Sequence, residues 1–413
     1  MIRISSQQVF SSGINRLQEL NSNLNSTQQQ ISTGKRVNKP SDDPVAAARI
    51  LKLDQELSRV KTYERNVDLA DNRLKQEESA LASSVDVIQR IRELTVQAGN
   101  GSLSPNDRQS ISSEMKERLG QLANIANTRD ASGEYIFSGF QGSVPAFQQN
   151  AEGKYEYQGD EGQRVLEIDD GVTVPISDNG KSIFVNVPAA VVGEHAGPTA
   201  GTFISGVSVV NQAALAGAFP GSFPNDITLQ VDNSTPPQVL AFDSNNPAVT
   251  FPVTPSDYQS GETFVVAGIE ASISGAVPGA APIPDSYTLK INEKQSVFGT
   301  IENLIAGLDS IDKGTPEGRA QYDDLIAQSL VNLDNGQESI ILKQTELGGR
   351  MNAVESTRNF LADSSVYTNE IRSQLQDVDY AEAISNLSFQ SFVLQAAQQS
   401  FAQVSQLSLF DRL

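Results

Sequence analysis

Apolar residues recur every seven positions over two long stretches of this 413-residue chain. Leu53, Val60, Val67, Leu74, Leu81 and Ile88 form one series; Leu333, Ile340, Leu347, Val354, Leu361 and Leu375 form the other, with Thr368 in the remaining slot. A sustained seven-residue repeat predicts helices packed as in a coiled coil. The first helix is expected from Pro44 to about Ala98, roughly 80 Å long. Ile50, Leu57 and Val85 lie three residues ahead of members of its series, and Glu64, Asp71 and Glu78 fill the corresponding polar slots. Those slots predict a bundle with an uneven partner surface rather than a free zipper. The second long helix is expected to start at Thr315 and Pro316. Gly348 and Gly349 soften it, each by about 1 kcal/mol relative to Ala, or admit a close neighbour. Between the two, Ser104, Pro105 and Asp107 resemble a capping box. They precede a helix with Ile111, Met115, Leu119, Leu122 and Ala126 on one face, followed by a turn and a short strand or hairpin at "TRDASGEYIFSGF".

The two terminal stretches are helical by period but poor in charge. Ile14, Leu17, Leu24 and Ile31 mark a stripe near the N-terminus, where residues 1–34 carry only Arg3, Arg16 and Glu19 as charges. "STGKRVNKPSDDP" breaks that helix, and Pro40, Asp43 and Pro44 are the expected hinge. Asp43 is placed to cap the next helix, with Pro44 at its first position. At the other end, Leu387, Phe392, Leu394, Phe401, Val404, Leu407 and Phe410 lie in a stretch, Ala383 to Phe410, without one Asp, Glu, Lys or Arg. Burying an unpaired charge is costly, whereas Gln and Ser find hydrogen bonds among other protein groups. Such a helix is expected to be surrounded by protein. The two ends are expected to pair, and copies or close relatives to supply the remaining walls through head-to-tail contacts that build a helical assembly. In the isolated chain these ends are expected to be disordered and to order on assembly. A membrane-surface helix would carry Lys and Arg on its polar face, which are missing here.

The middle, about 141–290, has another texture. It holds 14 of the 18 prolines, and short alternating runs ("VLEID", "VTVPI", "SIFVNV", "DITLQV", "TFVVAG", "SYTLKI") separated by turn residues. This predicts a β sandwich or barrel-like domain, single or in two small parts, with a break near "VVGEHAGPTAG" or "LAGAFPGSFPND". The expected class is therefore α+β and multidomain: a long antiparallel helical bundle from both chain ends, with a β-rich domain inserted between them. The expected parts are terminal helices at 1–42 and 376–413, a helical rod domain with a short hairpin at 43–140 and 291–375, and a β-rich outer domain at 141–290.

Composition narrows the function. A net charge of −20 argues against nucleic acid and anionic lipid as partners. With no cysteine and one histidine, His195, a Cys-based or multi-imidazole metal site is excluded by count. "STGKR" and "NGKS" lack the earlier glycine of a phosphate loop, "EIDDGV" lacks a calcium loop's alternating ligands, and no cluster suggests catalysis. No cofactor and no enzymatic activity are expected. The N-terminal stretch lacks the apolar core of a cleavable signal peptide, and no apolar run is long enough to span a bilayer.

Several stretches in order also carry a resemblance. "MIRISSQQVF", "QQQISTGKRVNKPSDDPVAAARIL", "LANIANTRDASGEYIFSG" at Leu122–Gly139 and "YQGDEG" at Tyr157–Gly162 are similar to the N-terminal part of the flagellin superfamily, most closely its hook-associated members. "ELGGRMNAVE" and "DVDYAEAISNLSFQSFVLQAAQQSFAQVSQLSLF" are similar to its returning helices. The resemblance covers roughly 1–165 and 295–413. It implies a non-enzymatic axial component of the bacterial flagellum that joins hook to filament and is exported unfolded to assemble outside the cell. The implied partners are other copies of itself, hook-associated protein 1, flagellin and a cytoplasmic export chaperone. The alternatives are flagellin itself, the bulk filament subunit, and a surface-binding module whose β head recognises a ligand or glycan.

Overall fold

The computed structural model describes residues 6–196, 201–219, 225–276, 285–291 and 294–410. The described residues hold seven α-helices: α1 (Ser6–Thr33), α2 (Pro44–Ala98), α3 (Pro105–Ala126), α4 (Gln212–Ala218), α5 (Val297–Ser310), α6 (Pro316–Gln376) and α7 (Tyr380–Phe410). None is long and apolar enough to cross a membrane. Contacts group the chain into two compact units. One comprises the chain up to Val67, Ile168–Asp170 and the chain from Glu355 onward; the other comprises Asp68–Glu167 and Gly171–Val354. Both α2 and α6 contribute residues to each.

In the first unit α1 packs against α7. The segment after α1 turns at Gly34 (φ 72°) and meets the α6–α7 connection. There Val378 N–H donates to the Gly34 carbonyl at 3.0 Å and Arg36 N–H to the Gln376 carbonyl at 2.6 Å. Val37, Ala46 and Ile50 form a small buried core, with Ala47 and Leu375 packed on it. Asp43 Oδ1 accepts the N–H groups of Val45 and Ala46 (3.1 and 2.9 Å), which satisfies donors left open at a helix start. Pro44, with no N–H to satisfy, opens the helix.

In the second unit the helices pack around fully buried Leu74, Leu81, Ile88, Met115, Leu122, Phe298, Leu333, Ile340 and Leu347. The capping box at Ser104 and Asp107 is formed. Ion pairs ring the core: Arg90 with Glu114 (2.9 Å), Arg92 with Asp334 (2.5 Å) and Lys116 with Asp309 (2.9 Å). The second row of the α2 seam departs from the expected one. Ile50 and Leu57 are buried, but farther along the row runs through Ala70, Glu77, Ser84, Ile91 and Ala98. Glu78 is exposed and Val85 only half-buried. The seam moves because the two ends of α2 pack in different units, and an α-helix drifts against a strict seven-residue repeat.

The β-rich region starts with the antiparallel pair β1 (Phe147–Gln149) and β2 (Tyr155–Tyr157). β3 (Val165–Asp169) and β4 (Val172–Pro175) follow, the chain reversing at Gly171 (φ 72°). "SIFVNV", expected as a strand, is instead a π-helical turn at Lys181–Val185 leading into a two-residue strand, β5 (Val187–Pro188). The reason is burial: neighbours Ile183 and Phe184 are both fully buried, which a strand, alternating its faces, does not deliver against one core. Phe184 joins Phe137, Phe147 and Phe298 of α5, with ring centroids 4.5–6.1 Å apart.

Beyond Pro188 a separate sandwich begins. Its strands are β6 (Val192–Ala196), β7 (Phe203–Val209), β8 (Ile227–Val231), β9 (Val239–Asp243), β10 (Thr250–Phe251), β11 (Val253–Thr254), β12 (Thr263–Val266), β13 (Ile269–Ser274) and β14 (Ser286–Lys290). One sheet has the order β10-β9-β8-β14-β6, the other β11-β12-β13-β7. Alternate residues such as Ile227, Leu229, Val231, Tyr287 and Leu289 enter one core with Phe264, Ile269 and Ile273. "VVGEHA" is thus the sandwich's first strand and "LAGAF" lies in and just after α4, inside it. β15 (Lys294–Gln295) pairs with β5 at the neck. Asn332 of α6, buried, grips this neck: its Oδ1 accepts Ala190 N–H at 2.6 Å and its Nδ2 donates to Gln295 Oε1 at 3.2 Å. Asp324 of α6 accepts the N–H of Gly206 on the edge strand β7 at 2.9 Å.

Candidate assembly interface

The expected assembly residues fall on both sides of the α1–α7 pair. On α1, Leu17, Leu24 and Ile31 are half-buried and Ile14 is exposed. On α7, Ala383 is buried and Leu387, Gln390, Leu394, Ala397 and Phe401 are half-buried. Their spacing of four and three residues makes one face, and that face meets α1. Phe401 lies over Gly13, where an added Cβ would stand 2.8 Å from the ring. Thr27, only 7% exposed, donates its hydroxyl to Gln390 Oε1 at 3.0 Å. The opposite side of α7 is apolar and open: Phe392 is 69% and Phe389 67% exposed, and Ile384 is exposed too. The side chains of Val404, Leu407 and Phe410 lie outside the described residues.

A helical stretch free of charge from Ala383 to Phe410, with two phenyl rings in solvent, has an apolar face awaiting protein. Each such ring withholds roughly 1.5–3 kcal/mol that burial would supply. Single exposed hydrophobes are ordinary, but adjacent aromatics in a helical stretch without charges mark an interaction face.

Of the expected rod-core residues, Val60, Val67, Leu74, Leu81 and Ile88 of α2 and Leu333, Ile340, Leu347, Val354 and Leu361 of α6 are buried, and Leu53 and Leu375 are half-buried. At the hinge, Asp43 caps α2 while Pro40 and Pro44 are exposed.

A polar cluster in the second unit went unread in the sequence. Glu77 of α2 is 2% exposed. Its side chain hydrogen-bonds Asp178, while among the described residues its Oε1 has no partner. Asp178 is held by Arg350 of α6 through two bonds (2.8 and 3.2 Å) and by Gln163 Nε2 at 2.8 Å. Burial, then the Asp178 carboxylate, push the Glu77 carboxyl up to about 8. Two carboxyl groups that hydrogen-bond share a proton, so Glu77 carries one at neutral pH.

His195 sits on β6 with Nε2 2.9 Å from the Thr202 hydroxyl and 3.5 Å from Asp285, its ring against Tyr287. Both partners are buried side chains of the sandwich, so the cluster braces a sheet edge.

Comparison with known proteins places both flanks. The family model described as the bacterial flagellin N-terminal helical region matches residues 4–142, and that of the C-terminal helical region matches 330–413. The flagellar hook-associated protein 3 of Salmonella typhimurium is 33% identical over 196 residues, 48% of this chain and 61% of that protein. Its counterpart in Escherichia coli is 25% identical over 382 residues, 92% of this chain and 90% of that one. The crystal structure of flagellar hook-associated protein 3 from Legionella pneumophila, 26% identical, superposes with a TM-score of 0.65 over 79% of this chain and 98% of its own.

Proposed function

Because the chain belongs to the flagellin superfamily, we propose that it is a structural, non-enzymatic component of the bacterial flagellum, acting as the adaptor between hook and filament. The carrying observation is the two-sided α7. One face is closed by α1, while Phe389 and Phe392 stand open on a helix free of charge from Ala383 to Phe410. Copies of the chain cover that face within a ring. Hook-associated protein 1 on one side, flagellin on the other and a cytoplasmic chaperone before export are the partners that follow from this role. The working division is terminal helices at 1–42 and 376–413 lining the tube, a helical domain at 43–140 and 291–375 around them, and the β region at 141–290 outermost. The protein then acts outside the cell.

Deleting Phe401–Leu413 tests this. The remainder is expected to stay soluble and folded while filaments no longer attach. Normal motility of the deletion strain sinks the proposal. The bulk-filament reading, favoured by the flagellin matches, is separated by abundance: a major band in sheared filaments means filament subunit, and a trace means junction.

A further inference from the structure

The inner seam of the α1–α7 pair has three unlike layers. At one end Phe401 fills the space over Gly13; at the other, the Tyr380 hydroxyl lies 3.0 Å from where a Gly34 Cβ would stand. Between them Thr27 and Gln390 form a buried polar contact. The aliphatic residues between these layers, Leu17, Leu20, Leu24 and Ile31 facing Leu387 and Leu394, are nearly interchangeable in size. Such a seam tolerates slippage by whole heptads unless something forbids it. A single polar layer in an apolar seam sets register at some cost in stability.

We propose that Thr27, Gln390 and Gly13 determine the specificity of the terminal helix pair, fixing one register in which a chain joins its own two ends. A slip of one heptad puts Thr27 opposite Ala383 or Ala397 and Gln390 opposite Leu20 or Gly34. None of these offers a side-chain partner, and a half-buried amide is left unsatisfied. In one direction the same slip drives Phe401 onto Leu20 in place of Gly13, and overfilling a packed seam is itself destabilising. The polar layer also discriminates between chains. An α1 from another axial protein lacking a hydroxyl at this layer would leave Gln390 unpaired, so ends of mixed origin pair less well than ends of one chain.

This inference rests on reading α1 and α7 as assembly helices, and its test is made on assembled protein, in which those ends are ordered. The chain has no cysteine, so introduced thiols report cleanly. Leu20 lies seven residues on from Gly13 and Leu394 seven back from Phe401, which places them opposite each other. Full-length Leu20→Cys/Leu394→Cys reads the native register, and Leu20→Cys/Leu387→Cys reads a one-heptad slip. In sheared hook–filament particles that carry the protein, under mild oxidation, the native pair is expected to cross-link about tenfold faster than the slipped pair. In a Thr27→Val/Gln390→Leu background, where the layer is apolar and helix pairing persists, the two rates are expected to come within about threefold. An unchanged preference in that background overturns the proposal, as does a parent chain that favours the slipped pair or cross-links neither. Filament attachment, scored separately on the cysteine-free parent, reports on the junction role, so failure of one idea does not mask failure of the other.

Discussion

Replacing Glu77 by Gln should make the protein more stable at alkaline pH, and by an amount that grows with pH. Gln has nearly the same shape and can donate a hydrogen bond to Asp178 as the protonated acid does, but it has no proton to lose. In the native chain the Glu77 carboxyl is raised to about 8, against about 4.3 for an unperturbed Glu. Between these values the folded state holds a proton that the unfolded state has released. Stability therefore falls as pH rises, with a limiting slope of about 1.4 kcal/mol per pH unit. The contribution is fully present below the unfolded value and is lost once pH has risen through the folded one. From pH 6 to pH 8 the native chain should lose about 2 kcal/mol relative to Glu77→Gln. Other titrating groups are common to both proteins and cancel in the difference. Urea unfolding at pH 6, 7, 8 and 9, followed by far-ultraviolet circular dichroism, reads it as a widening gap in midpoint at constant m. Parallel stability profiles across this range would refute the buried, protonated Glu77, and with it the shared proton between α2 and Asp178.

Two further outcomes follow from packing. Leu81→Ala removes a fully buried side chain and should cost about 2–5 kcal/mol, seen as a drop in the urea midpoint; a cost below 1 kcal/mol would mean that the seam is not packed there. Asn332→Ala leaves the Ala190 N–H without its acceptor and should cost about 1–3 kcal/mol, with faster protease cleavage at 188–191 but not within the sandwich; unchanged cleavage would show that Asn332 does not hold the neck.

What the sequence made legible was whatever repeats. Leu74, Leu81 and Ile88 declare themselves because each returns to the same face after two turns. Glu77 did not, since it sits one residue from the expected slot at Glu78. That one-residue difference comes from a change of packing partner along α2, which local periodicity does not contain. The Asp178–Arg350 pair was illegible for a related reason: its members lie 172 residues apart, and each alone looks like a surface charge. "SIFVNV" misled because β-branched and aromatic residues favour strands, while the aromatic cluster around Phe184 demanded two adjacent buried side chains. On the terminal helices, the period located the residues that pack between α1 and α7, apart from exposed Ile14. Which phenyl ring faces inward was decided by Gly13, a residue with no side chain to advertise its role.

The β7 edge has a bearing on crowding. An unpaired strand rim is an invitation to whichever sheet comes near, and the ring of copies proposed above would bring many such rims together. Here α6 reaches over with one carboxylate, Asp324, and occupies the amide of Gly206 where the strand bends (φ 64°). In that proposed ring, neighbouring heads would meet a blocked selvedge, and the array could be dense without knitting into continuous sheet.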